Sequence, residues 1–139
     1  MSLESNKALV RKWIEQGWNK HNTAVIDAIY AANFVQHGGG PDVNSAEELK
    51  GFVASYLQAF PNLTFTIEDL VAEGDRVVWH FVGTGTHNGP LMGIPASGRT
   101  ATVPGVVIFR ITNDRIAEAW VNLDMLGMLQ AIGAIPVAG

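Results

Sequence analysis

Through roughly the first sixty residues apolar side chains recur with the period of a helix, and beyond them they alternate with the period of a strand. Val10, Trp13, Ile14, Gly17 and Trp18 form one helical stripe, with Gly17 permitting close approach and the two indoles reading as core. A short second helix follows Asn22-Thr23 and turns Val25, Ile26, Ile29 and Tyr30 inward. Phe34-Val35-Gln36-His37 reads as a brief extended piece that stops at Gly38-Gly39-Gly40-Pro41. Ser45-Ala46-Glu47-Glu48 is a capping box, and Leu49, Phe52, Val53, Tyr56, Leu57 and Phe60 continue it as a third helix that Pro61 ends.

From Leu63 the period changes. Leu63, Phe65 and Ile67 alternate with polar residues in a strand reaching Ala72, and Glu73-Gly74-Asp75 turns it back. The next strand runs from Arg76 to about His87, where Gly83 and Gly85 on one face predict a sharp bend or a close neighbour. A loop from Asn88 to Gly98 carries Leu91, Met92 and Ile94, so it is expected to pack over something. Arg99 to Ile111 is a long strand in which Pro104-Gly105 predicts a bulge or bend. After Thr112-Asn113-Asp114 a final strand places Ile116, Glu118, Trp120, Asn122 and Asp124 on one face by simple alternation, with Ala117, Ala119, Val121 and Leu123 on the other. A short helix begins at Met125. Three helices, a meander of about four bent strands and a last helix predict an α+β domain: helices on one face of a curved antiparallel sheet, closing a cone with a small-molecule cavity inside.

Composition narrows the function. A chain of 139 residues, 47% hydrophobic and 16% charged, is a single domain able to bury its own core. A net charge of −4 and scattered basic residues speak against nucleic acid as a partner. With no cysteine, disulfides, thiolate metal sites and a thiol nucleophile are excluded. The first residues do not read as a secretory signal, and no apolar run approaches the ~20 residues of a membrane span. The expectation is a cytoplasmic protein without a membrane partner. Phosphate-loop, dinucleotide, His-Glu-x-x-His and serine-elbow patterns do not occur, which leaves acid–base chemistry without a cofactor, or simple binding.

Two residues carry candidate chemistry. Asp124 is a favoured N-cap for the helix at Met125, and on the face shared with Trp120 it is also a carboxylate whose ionisation an apolar cavity would oppose. His37 stands at the mouth of the glycine loop, as a cavity-facing imidazole or as a solvated structural one.

The order of elements, together with Asn19-Lys20-His21-Asn22, Phe34-Val35-Gln36-His37, Ala59-Phe60-Pro61-Asn62-Leu63, Ala72 to Val78, Gly85-Thr86-His87-Asn88-Gly89, Met92-Gly93-Ile94-Pro95, Phe109-Arg110-Ile111 and Trp120 to Asp124, resembles the SnoaL-like polyketide cyclases. These are also called ester cyclases and belong to the NTF2-like (cystatin-like) superfamily. The resemblance runs over nearly the full chain. It implies an NTF2-like cone and a cofactor-independent enzyme of cyclase, isomerase or lyase type, without metal, that closes or rearranges a small apolar, polyketide-like carbonyl compound. Asp124 matches the family's acid–base carboxylate for intramolecular aldol closure, and His37 matches its histidine after the apolar pair. His80 stands where many relatives carry Arg, and Val121 where many carry an acid, which weighs against two carboxylates acting together. Asp124, His37 and His80 are therefore the expected catalytic residues, walled by Trp13, Phe34, Tyr56, Trp120 and Asn122. A homodimer is implied as well. The alternatives are a non-catalytic small-molecule-binding cone, to which the scarcity of titratable groups points, or an isomerase or hydrolase on the same fold.

Overall fold

The structure is a computed structural model describing residues 2–136. Helix α1 (Leu3–Lys12) starts where the Ser2 hydroxyl accepts from the Ser5 amide at 2.9 Å, and it runs on as a wider π-helical turn over Trp13–Asn19. Val10, Trp13, Ile14 and Trp18 are all buried, as their stripe predicts. The Trp13 indole lies across Gly17, where a Cβ would collide with it. A 3-10 turn at Thr23–Val25 leads into the single turn of α2 (Ile26–Ile29) and then strand β1 (Tyr30–His37). Helix α3 (Ala46–Ala59) is capped by Ser45, whose hydroxyl accepts from the Glu48 amide at 3.0 Å.

The remaining strands are β2 (Thr64–Phe65), β3 (Asp69–Glu73), β4 (Arg76–Thr86), β5 (Thr100–Thr112) and β6 (Arg115–Leu123), and α4 (Met125–Ala131) follows. They form one curved six-stranded sheet ordered β1-β6-β5-β4-β2, with β3 on the same edge of β4 as β2. The helices and the inner face of this sheet enclose a single apolar core.

Three expectations change here. The sheet is mixed, because β1 is a full eight-residue strand running parallel to β6. Tyr30, read as the end of a helix, is its first residue. Strand β5 crosses Pro104 without a bulge, in register with β4 through Val82↔Pro104 and Phe81↔Gly105. The Pro104 carbonyl accepts from the Asp124 amide at 3.1 Å, on the side away from β4, so the missing N–H would also have pointed there, and no β4 ladder bond is lost. The bulge lies instead in β6: Arg110 pairs with Glu118 but Ile111 with Ile116, leaving Ala117 extra. A one-residue insertion exchanges the faces of every residue after it. Ile116 faces the core, but beyond Ala117 it is Ala119, Val121 and Leu123 that do so, while Glu118, Trp120 and Asn122 face outward.

Candidate functional site

A cavity of about 90 Å³ lies inside the cone. A single water needs about 10–15 Å³ of such space, so several waters or a small organic molecule fit. Its walls are aromatic, from Trp13, Trp18, Phe60, Phe65, Trp79 and Phe81. Trp18 and Trp79 each meet Phe65 edge-on, at 5.0 and 5.4 Å between ring centres. Asn19 holds Phe65 in place by bonding both its amide and its carbonyl, at 2.7 and 3.0 Å.

The space exists because β4 and β5 carry small residues on the inner face here: Gly83, Gly85, Ala101 and Val103. A Cβ on Gly83 would stand 2.7 Å from the Phe65 ring, and one on Gly85 2.8 Å from the Phe60 Cβ. The two glycines thus mark close approach of rings to the strand. The loop from Asn88 to Gly98 docks beside this end of the cone. Its Asn88 and Gly89 amides donate to the Ala59 carbonyl at the end of α3, at 3.0 and 3.1 Å, and Leu91 is buried.

Polar groups on the cavity wall are few and neutral. Burial pushes the Tyr30 phenol well above its ordinary value and raises that of Tyr56, so both keep their protons. The Trp79 indole N–H is already engaged, donating to the Thr66 carbonyl at 3.0 Å. Gln36 supplies a buried amide whose Nε2 has no protein partner. Among the described residues no carboxylate, imidazole, lysine or arginine lines this cavity.

The residues singled out in the sequence fall into three places. Trp13 and Tyr56 line the cavity, while Phe34 lies behind its wall, fully buried and edge-on to Tyr30 at 4.6 Å. Trp120, Asn122, His37 and His80 belong to the outer face of the sheet. There the Glu118 carboxylate is gripped by His37 Nε2 at 2.7 Å and by Arg110 Nε at 3.1 Å, and the hydrogen bond from His37, ahead of that from Arg110, holds its carboxyl below the ordinary range. Trp120 stacks on His37 at 5.6 Å and lies under the Arg76 guanidinium at 4.8 Å. His80 Nδ1 meets Asp69 at 2.8 Å.

Asp124 is exposed at the end of β6, where its carboxylate caps α4 by accepting from the Gly127 amide at 2.9 Å. It shares a shallow outer depression with His80, Asn122, Pro104, Gly105 and Val106. Leu123 borders both this depression and the cavity. The expected placement of Asp124, Trp120 and Asn122 inside the cone is thus corrected, and the bulge at Ala117 is the reason. Tyr30 and Gln36 were not anticipated as site residues. Phe34 and Gln36 alternate onto the inward face of β1, but Ala32 is exposed and the pairing with β6 shifts register between Tyr30 and Val35, so simple alternation reports Gln36 and not Tyr30.

A family model for SnoaL-like polyketide cyclases matches residues 8–132. The chain belongs to that family. This SnoaL-like protein is similar in structure to a protein from Jannaschia sp. CCS1 assigned to the SnoaL-like polyketide cyclases: 28% identity, 96% of this chain and 94% of that one covered, TM-score 0.88. It is also similar to AclR from Streptomyces galilaeus, assigned as a hydroxylase, at 27% identity over 99% of this chain and 87% of that one, TM-score 0.87. A Catenulispora acidiphila protein with a ketosteroid isomerase-like fold shares the architecture at 20% identity, covering 90% of this chain and 92% of that one, TM-score 0.77. The fold is therefore the α+β cone of the NTF2 and ketosteroid isomerase type. Comparison with curated proteins returns no match. No described helix is long and apolar enough to cross a membrane.

Proposed function

We propose that this SnoaL-like protein takes up a small, neutral, largely apolar carbonyl compound of polyketide type in its cone. The observation that carries the reading is the cavity itself: aromatic walls, two phenols held protonated by burial, one amide, and no charged side chain among the described residues. Such a lining favours flat apolar rings and offers hydrogen bonds to uncharged oxygens, whereas an ion would lose its hydration without compensation.

A second reading is the cofactor-independent cyclase. In it the Asp124 carboxylate removes a proton α to a carbonyl, the enolate carbon attacks a second carbonyl of the same molecule, and the new alkoxide recovers a proton. Its support is the position of Leu123, which borders both the cavity and the depression holding Asp124, His80 and Asn122.

Melting curves recorded with a panel of polycyclic ketones, followed by mass spectrometry of the mixtures, separate the readings. Stabilisation by ligand without product supports uptake alone. Product formation that falls at least ~100-fold in Asp124→Asn supports the cyclase, since that is the usual scale for an acid–base group. No stabilisation by any member refutes the uptake reading.

Assembly as a homodimer fits the outer face of the sheet. Val71, Val78, Ile108, Trp120 and His37 are successive cross-strand partners, forming an apolar stripe across five strands. Arg76, Arg110 and Glu118 flank it on one side, and His80, Val106 and Asn122 on the other. A second copy turned about a twofold axis would cover this stripe.

A further inference from the structure

We infer that Phe65 sets the size of what the cone takes up: its ring, folded over Gly83, leaves room for one aromatic ring of the ligand and shuts out a second. The inference rests on the uptake reading above and adds to it a limit on ligand size and the residue that fixes it.

The cavity of about 90 Å³ is smaller than the roughly 150 Å³ of an apolar cavity that takes up benzene. A single ring already fills it, and a fused second ring finds no space. Phe65 and Gly83 are cross-strand partners in β2 and β4. A glycine opposite an aromatic residue lets the ring fold across the strand where a side chain would otherwise stand, and a Cβ on Gly83 would lie 2.7 Å from the Phe65 ring. The ring thus takes the place of a β4 side chain and forms part of the cavity wall. Three further rings surround it, Trp18 at 5.0 Å, Phe81 at 5.1 Å and Trp79 at 5.4 Å between centres.

Strand β2 has only two residues, so its own ladder holds the ring weakly. Side chains at the end of the π-helical turn and just beyond it pin the segment instead. The Asn19 amide group bonds both the N–H and the carbonyl of Phe65, at 2.7 and 3.0 Å, and gives that peptide the partner a further strand would supply. His21 Nε2 lies 3.1 Å from the Leu63 carbonyl, and the Thr66 amide donates to the Val82 carbonyl at 2.9 Å. The backbone is therefore fixed on both sides of Phe65, and β2 yields to a second ligand ring only by breaking these bonds. The opposing explanation is that the whole shell of rings sets the volume together. In that case Trp18 and Trp79 close over the space when Phe65 is shortened, and the accepted ligand size does not change.

The test uses fluorobenzene and 1-fluoronaphthalene, which differ by one fused ring, titrated into wild type, Phe65→Ala and Phe65→Leu and followed by ¹⁹F NMR. Taking the ratio of the two affinities within each protein removes differences in folded stability. Where the second ring is buried it adds at least about tenfold to affinity. Wild type is expected to bind the two probes within about threefold of each other, because the second ring stays outside the cavity, whereas Phe65→Ala binds fluoronaphthalene at least about tenfold more tightly than fluorobenzene. Should Phe65→Ala not fold, Phe65→Leu decides, with a ratio about threefold above that of wild type, since it gives up only part of the ring volume. A wild type that already favours fluoronaphthalene tenfold or more overturns the size limit, and a ratio that the folded variants leave unchanged overturns the assignment to Phe65. Failure of wild type to bind either probe overturns the uptake reading and takes the inference with it.

Discussion

The short helix α4 offers a quantitative test of how the last strand ends, because two neighbouring effects there should cancel. Gly127 sits inside a seven-residue helix, and replacing an interior glycine by alanine normally stabilises by about 1 kcal/mol. In this helix a Cβ would stand 2.7 Å from the Asp124 carboxyl carbon. The carboxylate must swing away and release its 2.9 Å bond to the Gly127 amide, and losing such a cap costs about 1 kcal/mol. Gly127→Ala alone should therefore leave stability within about 0.5 kcal/mol of wild type, while Asp124→Ala alone should lower it by about 1 kcal/mol. The double variant should return to about the wild-type value, giving a coupling energy of about 1 kcal/mol between two residues that additivity would treat as independent. Urea unfolding followed by tryptophan fluorescence resolves this, and each kcal/mol corresponds to about 3–4 °C in Tm for a domain of this length. A gain of a full kcal/mol from Gly127→Ala with Asp124 still in place would refute the reasoning, because it would mean that the carboxylate does not occupy that space. The result bears on function, since Met128 of the same helix lines the cavity. Any chemistry that draws Asp124 into the cone must first uncap α4.

The Glu118 carboxyl is held below its ordinary value of 4.5, so its contribution to stability is fully present above that pH and is lost as pH falls through the lower folded-state value. Glu118→Gln should flatten this acid limb of a stability-against-pH curve, and an unchanged limb would show that the grip of His37 and Arg110 does not favour the charged form in the folded state. The proposed dimer predicts that Trp120→Glu, which places a charge in the middle of the apolar stripe, sediments at 14.9 kDa while the wild type sediments at twice that mass. Equal sedimentation of the two proteins would remove the stripe from the assembly.

Much of the architecture is legible in the residues. The Val10 to Trp18 stripe, the Ser45 cap and the alternation from Arg76 onward each repeat a local geometry often enough to name the element. The collision between Gly17 and Trp13 could be anticipated as a need for closeness, though not which ring would fill it. Pro104 misled as a bulge signal, because its missing N–H lies on the side away from β4, so the β4 ladder runs through it without a break. The partnership of β1 was hidden for a related reason. Its pairing with β6 joins residues more than eighty positions apart, and no local pattern reports it.

Local chemistry was thus enough to place the helices, the hairpins and the family's cone, since capping, period and turn residues act over a few positions. Which side chains share the interior was settled by a single extra residue, Ala117, that reverses the two faces of β6 without changing its composition. Alternation read along the chain cannot detect that reversal, because the bulge is defined by the partner strand against which the residues are counted. For the same reason Gln36 became a pocket residue only once the neighbouring strands were in place around it, whereas the Asp124 cap on α4 was legible from the chain itself.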